Sequence, residues 1–449
     1  MEKVDAIIIG SGQGGVPLAI DLAGEGRSVV LFEKAALGGS CVNYGCRPSK
    51  AFLASARIAA GDPGNDEMGV RVKAEVDFAQ VMARTRSIIS GSSAGTAARL
   101  ASAGVRVVNE EASFTGERIV SGGDLALEAG VVVINTGSAP FVPPVKGLEG
   151  TPYMTYIDFW RMRELPPRML IVGGGYVGVE LGQGMARLGS ETHIVERHDR
   201  IIAHEEPDVS EVIREALAED GVIFHLGDET REVDYQNGVF TLTLDNGGQL
   251  RGEALLMAVG QQPGTGSLNA AAGGIELSQR GYIKVDERFQ TTCPGVYAIG
   301  DVTGQPAFTH VAWEDYRRLK SILGGGDRRQ GDRVLGYAFF SEPQVGRVGL
   351  TLEQAEKQGY NARAATIPLE WVALAYLSGR TRGFFRMVID RDTDRILGAT
   401  LVGPAAGELI HVFLAHMEAG STWQLLEQSV HVHPTLAEGL PTLARTLMS

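Results

Sequence analysis

The chain holds three cysteines in 449 residues, Cys41, Cys46 and Cys293. That is too few for the disulfide framework of a small secreted scaffold. It has no apolar run approaching the 18 or so residues of a membrane helix. Basic residues are outnumbered, 41 Lys and Arg against 54 Asp and Glu, for a formal net charge of −13. A nucleic-acid binder usually carries the opposite balance. Charged Glu2, Lys3 and Asp5 surround a strand-like start, and turn glycine arrives by Gly10, so the expectation is no signal peptide and a cytoplasmic protein. Neither disorder nor collagen fits: 44% of residues are hydrophobic, and the 59 glycines follow no three-residue period.

The glycines instead mark an internal repeat. Residues 5–34 read DAIIIGSGQGGVPLAIDLAGEGRSVVLFEK, and residues 169–197 read MLIVGGGYVGVELGQGMARLGSETHIVER. Gly10, Gly12, Gly15 and Glu33 of the first copy match Gly173, Gly175, Gly178 and Glu196 of the second without a gap. Each copy is an apolar strand, a glycine turn, a helix, a second apolar strand and a terminal acid. This is the βαβ fingerprint of a dinucleotide site. Its first glycine permits the tight turn, its second admits a pyrophosphate, and its third allows close helix packing. The helix N-terminus offers free N–H groups to phosphate, and the acid accepts from ribose hydroxyls.

Only the first copy is followed by a cysteine pair, in residues 38–50, GGSCVNYGCRPSK. The turn residues and Pro48 predict a helix starting near Pro48. A thiol at such a helix N-terminus has a stabilised thiolate, as disulfide exchange requires. A zinc site would need two more ligands, and no second cysteine pair or nearby histidine supplies them. Farther on, residues 78–103 read as a helix and 130–136 as a buried strand ending in Asn135-Thr136-Gly137. Residues 294–301 (PGVYAIGD) read as a strand ending in glycine and aspartate. Beyond about residue 335 the pattern becomes α+β. A hairpin is expected from 384–390 and 395–402, with amphipathic helices over 407–420 and 435–448.

Over nearly its whole length the chain resembles the flavin-dependent pyridine nucleotide–disulfide oxidoreductases, which include dihydrolipoamide dehydrogenase, glutathione reductase and mercuric reductase. GSGQGG, GGSCVNYGCRPSK, VGGGYVGVELG, VYAIGD and HVHPTLAE carry the resemblance, in family order. It implies an α/β fold with two Rossmann-like dinucleotide-binding domains and a C-terminal α+β dimerisation domain. The implied partition is a flavin domain over 1–145 and 264–334, a nicotinamide domain over 146–263 and an interface domain over 335–449. FAD would occupy the first fingerprint, with Asp301 at its ribityl or phosphate region, and NAD(H) or NADP(H) the second. Cys46 would face the flavin as the charge-transfer thiolate, and Cys41 would be the interchange thiol. Lys50 would lie near the flavin and pair with Glu180; the plainer reading is two solvated helix charges. Tyr176 would gate the nicotinamide pocket, or simply pack. His433 and Glu438 would form an acid/base pair reaching across a homodimer. Gly39, Ser40, Thr136, Gly137, Arg197 and Gly260 complete the expected cofactor set, and no metal site is expected.

The residues also depart from the family pattern. Arg47 follows Cys46 where an apolar residue or threonine is usual, Tyr44 replaces a smaller residue, and Cys293 matches no family cysteine. GQGGVPLA, the run from Thr309 to Arg317, and residues 381–403 resemble the mercuric-reductase-like branch. The chain nevertheless ends without the vicinal cysteines of that branch, lacks its extra N-terminal domain and keeps His433. The expected activity is therefore an NAD(P)H:disulfide oxidoreductase acting on a small disulfide or its dithiol, like dihydrolipoamide dehydrogenase. The alternatives are a mercuric-reductase-like enzyme, an NAD(P)H oxidase or quinone reductase, and a slow redox-sensing flavoprotein. NADH is expected over NADPH, because Glu196 would repel a 2′-phosphate, although Arg197 and Arg200 follow it.

Overall fold

The computed structural model describes residues 1–61 and 68–448. Its first sheet grows from the strand Glu2–Ile9, in which Ala6, Ile7, Ile8 and Ile9 are all buried. A β-branched run buried on both faces is what a parallel strand between helix layers requires. It pairs in parallel with Val29–Phe32 and with Leu125–Ile134, and Arg106–Val108 extends the sheet beyond Val29–Phe32. Leu125–Ile134 divides its far edge. Its first half pairs antiparallel with Ile119–Gly122, and its last residues pair in parallel with Val296–Ala298. Sequence that follows the second fingerprint thus returns to the first sheet and brings Asp301 to the end of the strand Glu2–Ile9's neighbour.

A second parallel sheet carries the repeat, in the order Val222–Leu226, Glu191–Glu196, Arg168–Val172, Ala254–Met257. A third, antiparallel sheet holds Gly336–Phe339, Gln344–Gly349, Ile396–Gly403, Phe384–Asp390 and Ala362–Pro368. The helix Ala406–Glu418 covers it through Ile410 and Phe413. The expected hairpin is present, its strands joined across residues 391–395.

One expectation needs correction. The amphipathic stretch 435–448 is helical only over Gly439–Arg445. Pro441 is tolerated within a first helical turn but not in a helix interior, so the helix must begin just before it. The preceding residues 431–438 run as irregular chain and present His433 to solvent.

The cysteine-bearing helix Cys46–Ala60 is locked onto the second unit by an aromatic cluster. Phe52 makes edge contacts with Phe159 at 5.5 Å and with Trp160 at 6.0 Å. A Cβ on Gly184, in the helix Tyr176–Arg187, would lie 2.3 Å from the Phe52 ring. The small residue therefore lets the two functional helices meet side by side.

Candidate active site

Both glycine turns are built alike. Gly10 and Gly173 have φ of +100° and +112°, and a Cβ on either would lie 2.4 Å from a backbone carbonyl. Their N–H groups donate to Phe32 O and Val195 O, each at 2.8 Å. Gly15 and Gly178 have no room for a side chain against the carbonyls of Gly10 and Gly173, whereas Gly175 faces open space. The terminal acids brace these turns. Glu33 Oε2 accepts from Ser11 N at 2.9 Å and Ser11 Oγ at 2.6 Å. At the equivalent place, Glu196 Oε2 accepts from Gly174 N at 2.7 Å, and its Oε1 accepts from His198 N at 3.0 Å. Each carboxylate is thus fixed in direction before any nucleotide binds.

The cysteine loop is tied to the first turn: Gly38 N donates to Ser11 Oγ at 3.0 Å, and Gln13 Nε2 donates to Gly38 O at 3.1 Å. Asn43 Nδ2 lies within bonding reach of the carbonyls of Ala36, Leu37 and Gly39. Cys41 sits in the short helix Gly39–Asn43, and Cys46 is the first residue of Cys46–Ala60. Both are free thiols. The hydrogen bond from Cys41 lowers the Cys46 pKa to about 6 against the opposing effect of burial. The Thr309 hydroxyl, 3.1 Å from Cys46 Sγ, and the Lys50 charge add to the lowering. Cys41 moves upward, first because it gives that hydrogen bond and then through burial. The two thiols therefore share one proton, held on Cys41, and leave a thiolate on Cys46. The spectral signature of the Cys46 thiolate in the reduced enzyme should persist as pH falls towards about 6 and fade below it. An absorbance titration of the two-electron-reduced protein checks this; fading already near pH 8 would contradict it.

Lys50 Nζ contacts both oxygens of Glu180, at 3.0 and 2.9 Å, and lies 4.5 Å from the centre of the Phe340 ring. Glu180 Oε1 also accepts from Phe340 N at 2.8 Å. The two residues are partners across the helix interface, not separate solvated charges. Tyr176, the first residue of its helix, stacks on Phe339 with ring centres 4.9 Å apart. Asp301 is half-buried, desolvation pushes its carboxyl upward, and it accepts from Ser138 Oγ at 2.9 Å. Gly300 N donates to Asp315 at 2.9 Å, and Asp315 is in turn paired with Arg333 at 2.6 Å, so the Asp301 loop is held from behind.

A cleft of about 2630 Å³ gathers most of these groups. Gly10, Gly12, Glu33, Gly39, Ser40, Thr136, Gly137 and Asp301 line it, as do Gly173, Gly175, Tyr176, Glu196, Arg197 and Gly260. Cys41, Cys46, Lys50 and Glu180 also border it. Gly15 and Gly178 stand behind the turns as packing positions. His433 and Glu438 are elsewhere: among the described residues that line the cleft, neither occurs. They are joined to each other, Nδ1 to Oε2 at 2.6 Å, with His433 exposed. Arg47 is exposed, and Cys293 is buried in the core of the first sheet.

Sequence reasoning gave no role to Thr309, the first residue of the helix Thr309–Leu323. Its contact with Cys46 spans 263 positions, which no local pattern reveals. It also missed Tyr156, whose buried hydroxyl lines the cleft without a partner.

Residues 4–315 match the family model described as pyridine nucleotide-disulphide oxidoreductase, and residues 336–444 match its dimerisation domain. The chain belongs to that family. It is similar to a dihydrolipoyl dehydrogenase of Halobacterium salinarum, at 33% identity over 97% of this chain and 94% of that one. A mercuric reductase of Streptomyces lividans is 34% identical over 99% of this chain and 96% of the other. Among solved structures, the Cu(II) complex of the HOCl-induced flavoprotein disulfide reductase RclA from Escherichia coli superposes with a TM-score of 0.91. It is 31% identical and covers 100% of both chains.

As a member of the family, the protein is an FAD-dependent NAD(P)H:disulfide oxidoreductase. The cleft suits such groups. Thr136 Oγ1 and the Tyr156 hydroxyl are buried there without partners, and a buried hydroxyl is costly unless something accepts or donates to it. The open face of Gly175 is where a pyrophosphate can approach backbone. No described helix is long and apolar enough to cross a membrane.

Proposed function

We propose that the protein passes electrons from NADH, through FAD, to a small disulfide by way of Cys41 and Cys46, or runs the reverse reaction on the dithiol. The supporting observation is the thiol pair itself: adjacent, proton-sharing, and beside the Lys50–Glu180 pair in the wall of the cleft. In this reading, residues 1–145 and 264–334 form the flavin domain and 146–263 the nicotinamide domain. Gly10, Gly12, Gly39, Ser40, Thr136, Gly137 and Asp301 would hold FAD, whose chemistry is to accept a hydride and deliver two electrons to the disulfide. Gly173, Gly175, Glu196, Arg197 and Gly260 would hold the nicotinamide nucleotide.

The chain's own residues carry the thiol chemistry. The acid/base histidine takes the proton held on Cys41, the resulting Cys41 thiolate attacks one sulfur of the substrate disulfide, the substrate S–S bond breaks, and the departing thiolate takes that proton from the histidine. The Cys46 thiolate then attacks Cys41 Sγ. The second substrate thiol leaves and the Cys41–Cys46 disulfide is restored. His433 is exposed and lies outside the cleft of its own chain, beside exposed Val430 and Val432. This segment belongs to residues 336–444, which match the family's dimerisation domain. We therefore assign the protonating role to the partner subunit's His433 in a homodimer, with Glu438 fixing the ring's tautomer.

The assignment of Cys46 is tested by its spectrum. Anaerobic two-electron reduction of the purified holoenzyme should give a long-wavelength thiolate–flavin band, and Cys46→Ser should abolish it. Retention of the band in Cys46→Ser would reject the assignment.

Nucleotide choice follows from Glu196. Its carboxylate is held at the strand end by Gly174 and His198. Arg200 instead turns to its own loop, donating to Ala203 O at 3.1 Å. A fixed carboxylate accepts from a ribose 2′-OH and repels a 2′-phosphate. kcat/KM should favour NADH over NADPH by roughly tenfold or more, and Glu196→Ser should erase most of that preference. A wild-type preference for NADPH would overturn this choice.

A further inference from the structure

The tyrosine on the nicotinamide side has an anchor that the thiol chemistry does not use. Glu205 lies in the loop after the strand Glu191–Glu196, and that loop folds back on the glycine turn through Ile202 N and Gly174 O, 2.7 Å apart. Its side chain is fully buried, yet it has three donors. Tyr176 Oη and Tyr337 Oη donate to Oε1 at 2.7 and 2.5 Å. Arg347 Nη1 donates to Oε2 at 3.0 Å. Tyr337 and Arg347 stand directly opposite each other on antiparallel strands, so both reach one carboxylate. Arg347 is itself held from behind: Nη2 donates to Gln354 Oε1 at 2.9 Å, and Gln354 completes the capping box of the helix Leu352–Lys357.

A carboxylate buried only to complete an ion pair would need Arg347 and its backbone surroundings. Here it also takes the hydroxyl of a residue in the cleft wall. Burial and the neighbouring charges push both phenols above their ordinary range, so both remain donors. The Tyr176 ring is consequently fixed at two points, by its face on Phe339 and by its hydroxyl on Glu205.

We propose that Glu205 is a positioning residue of the nicotinamide site, pinning Tyr176 against Phe339 so that this wall of the pocket is set before the nucleotide arrives. The inference rests on the reading of the second glycine turn as the nicotinamide site. The pin spares the nucleotide the cost of ordering a mobile aromatic ring on binding. Its loss should therefore appear in the NADH term and leave the disulfide term alone.

The test is steady-state kinetics of the FAD-loaded protein with NADH and lipoamide, on wild type, Tyr176→Phe and Glu205→Gln. Tyr176→Phe keeps the ring and its stacking and removes only the anchored hydroxyl. It should raise KM for NADH by roughly tenfold, the order expected for one hydrogen bond to a charged acceptor. KM for lipoamide, kcat and the thermal midpoint should change little. Glu205→Gln should move the same constant in the same direction. If Glu205→Gln does not fold, Tyr176→Phe alone decides. An unchanged or lowered KM for NADH in Tyr176→Phe overturns the proposal. If instead wild-type flavin is not reduced by any nicotinamide nucleotide, the underlying reading of the site fails.

Discussion

Cys41→Ser should lose NADH-dependent disulfide reduction by roughly a thousandfold or more, because a serine hydroxyl cannot replace a thiolate as the attacking group. The same variant should keep bound flavin and its rapid reduction by NADH. Cys41 is not itself among the residues proposed to hold FAD, although Gly39 and Ser40 of its short helix are, and a Cys-to-Ser exchange leaves that backbone in place. The serine hydroxyl still offers Cys46 a hydrogen-bond donor, so the Cys46 thiolate should be retained in this variant. Direct oxidation of reduced flavin by oxygen or quinones should persist. The contrast separates the reading from a flavoprotein that bypasses its thiols. Steady-state disulfide turnover, stopped-flow flavin reduction and quinone reductase activity on one preparation give all three numbers. Disulfide turnover within tenfold of wild type would mean that the cysteines are not the relay.

The second large effect concerns His433. With Nδ1 held by Glu438 at 2.6 Å, the ring leaves Nε2 to exchange protons. Loss of a positioned acid/base group costs about 10²–10⁴-fold in the step it serves. His433→Gln should therefore slow disulfide turnover by about that factor while leaving flavin reduction by NADH near wild type. Since the histidine is absent from the lining of its own chain's cleft, the defect should be complemented between subunits. Heterodimers of a Cys41→Ser subunit with a His433→Ala subunit contain one site with both residues intact and should recover activity. Confirmed heterodimers with no recovery would place the histidine's action within one chain, or remove it from the mechanism.

Much of the fold could be read from the repeat, because a βαβ turn is local. Two runs of β-branched residues, glycines at fixed spacing and an acid at the strand end force the same backbone twice. The matching hydrogen bonds of Gly10 and Gly173 follow from that local geometry. The nearness of Lys50 to Glu180 could be anticipated only through family resemblance, since it depends on Phe52 fitting over Gly184. Thr309 and Glu205 were invisible for the same reason. Their partners Cys46, Tyr337 and Arg347 come from other sheets and helices, so the contacts belong to the packing of units. The bracing role of Glu33 and Glu196 could have been reasoned out: an acid at the end of the second strand stands beside the glycine turn of the first. Apolar spacing alone extends the C-terminal helix back to residue 435, whereas Pro441 sets its start at Gly439.

The central claim is that this thiol pair serves a small disulfide with proton transfer from His433. Multiple-turnover kinetics with lipoamide and with Hg²⁺ under excess thiol, on wild type and His433→Gln, test it most directly. The account predicts faster wild-type turnover with lipoamide than with Hg²⁺, and a lipoamide rate that collapses in His433→Gln. Fast Hg²⁺ reduction that ignores the substitution, beside negligible lipoamide activity, would contradict it.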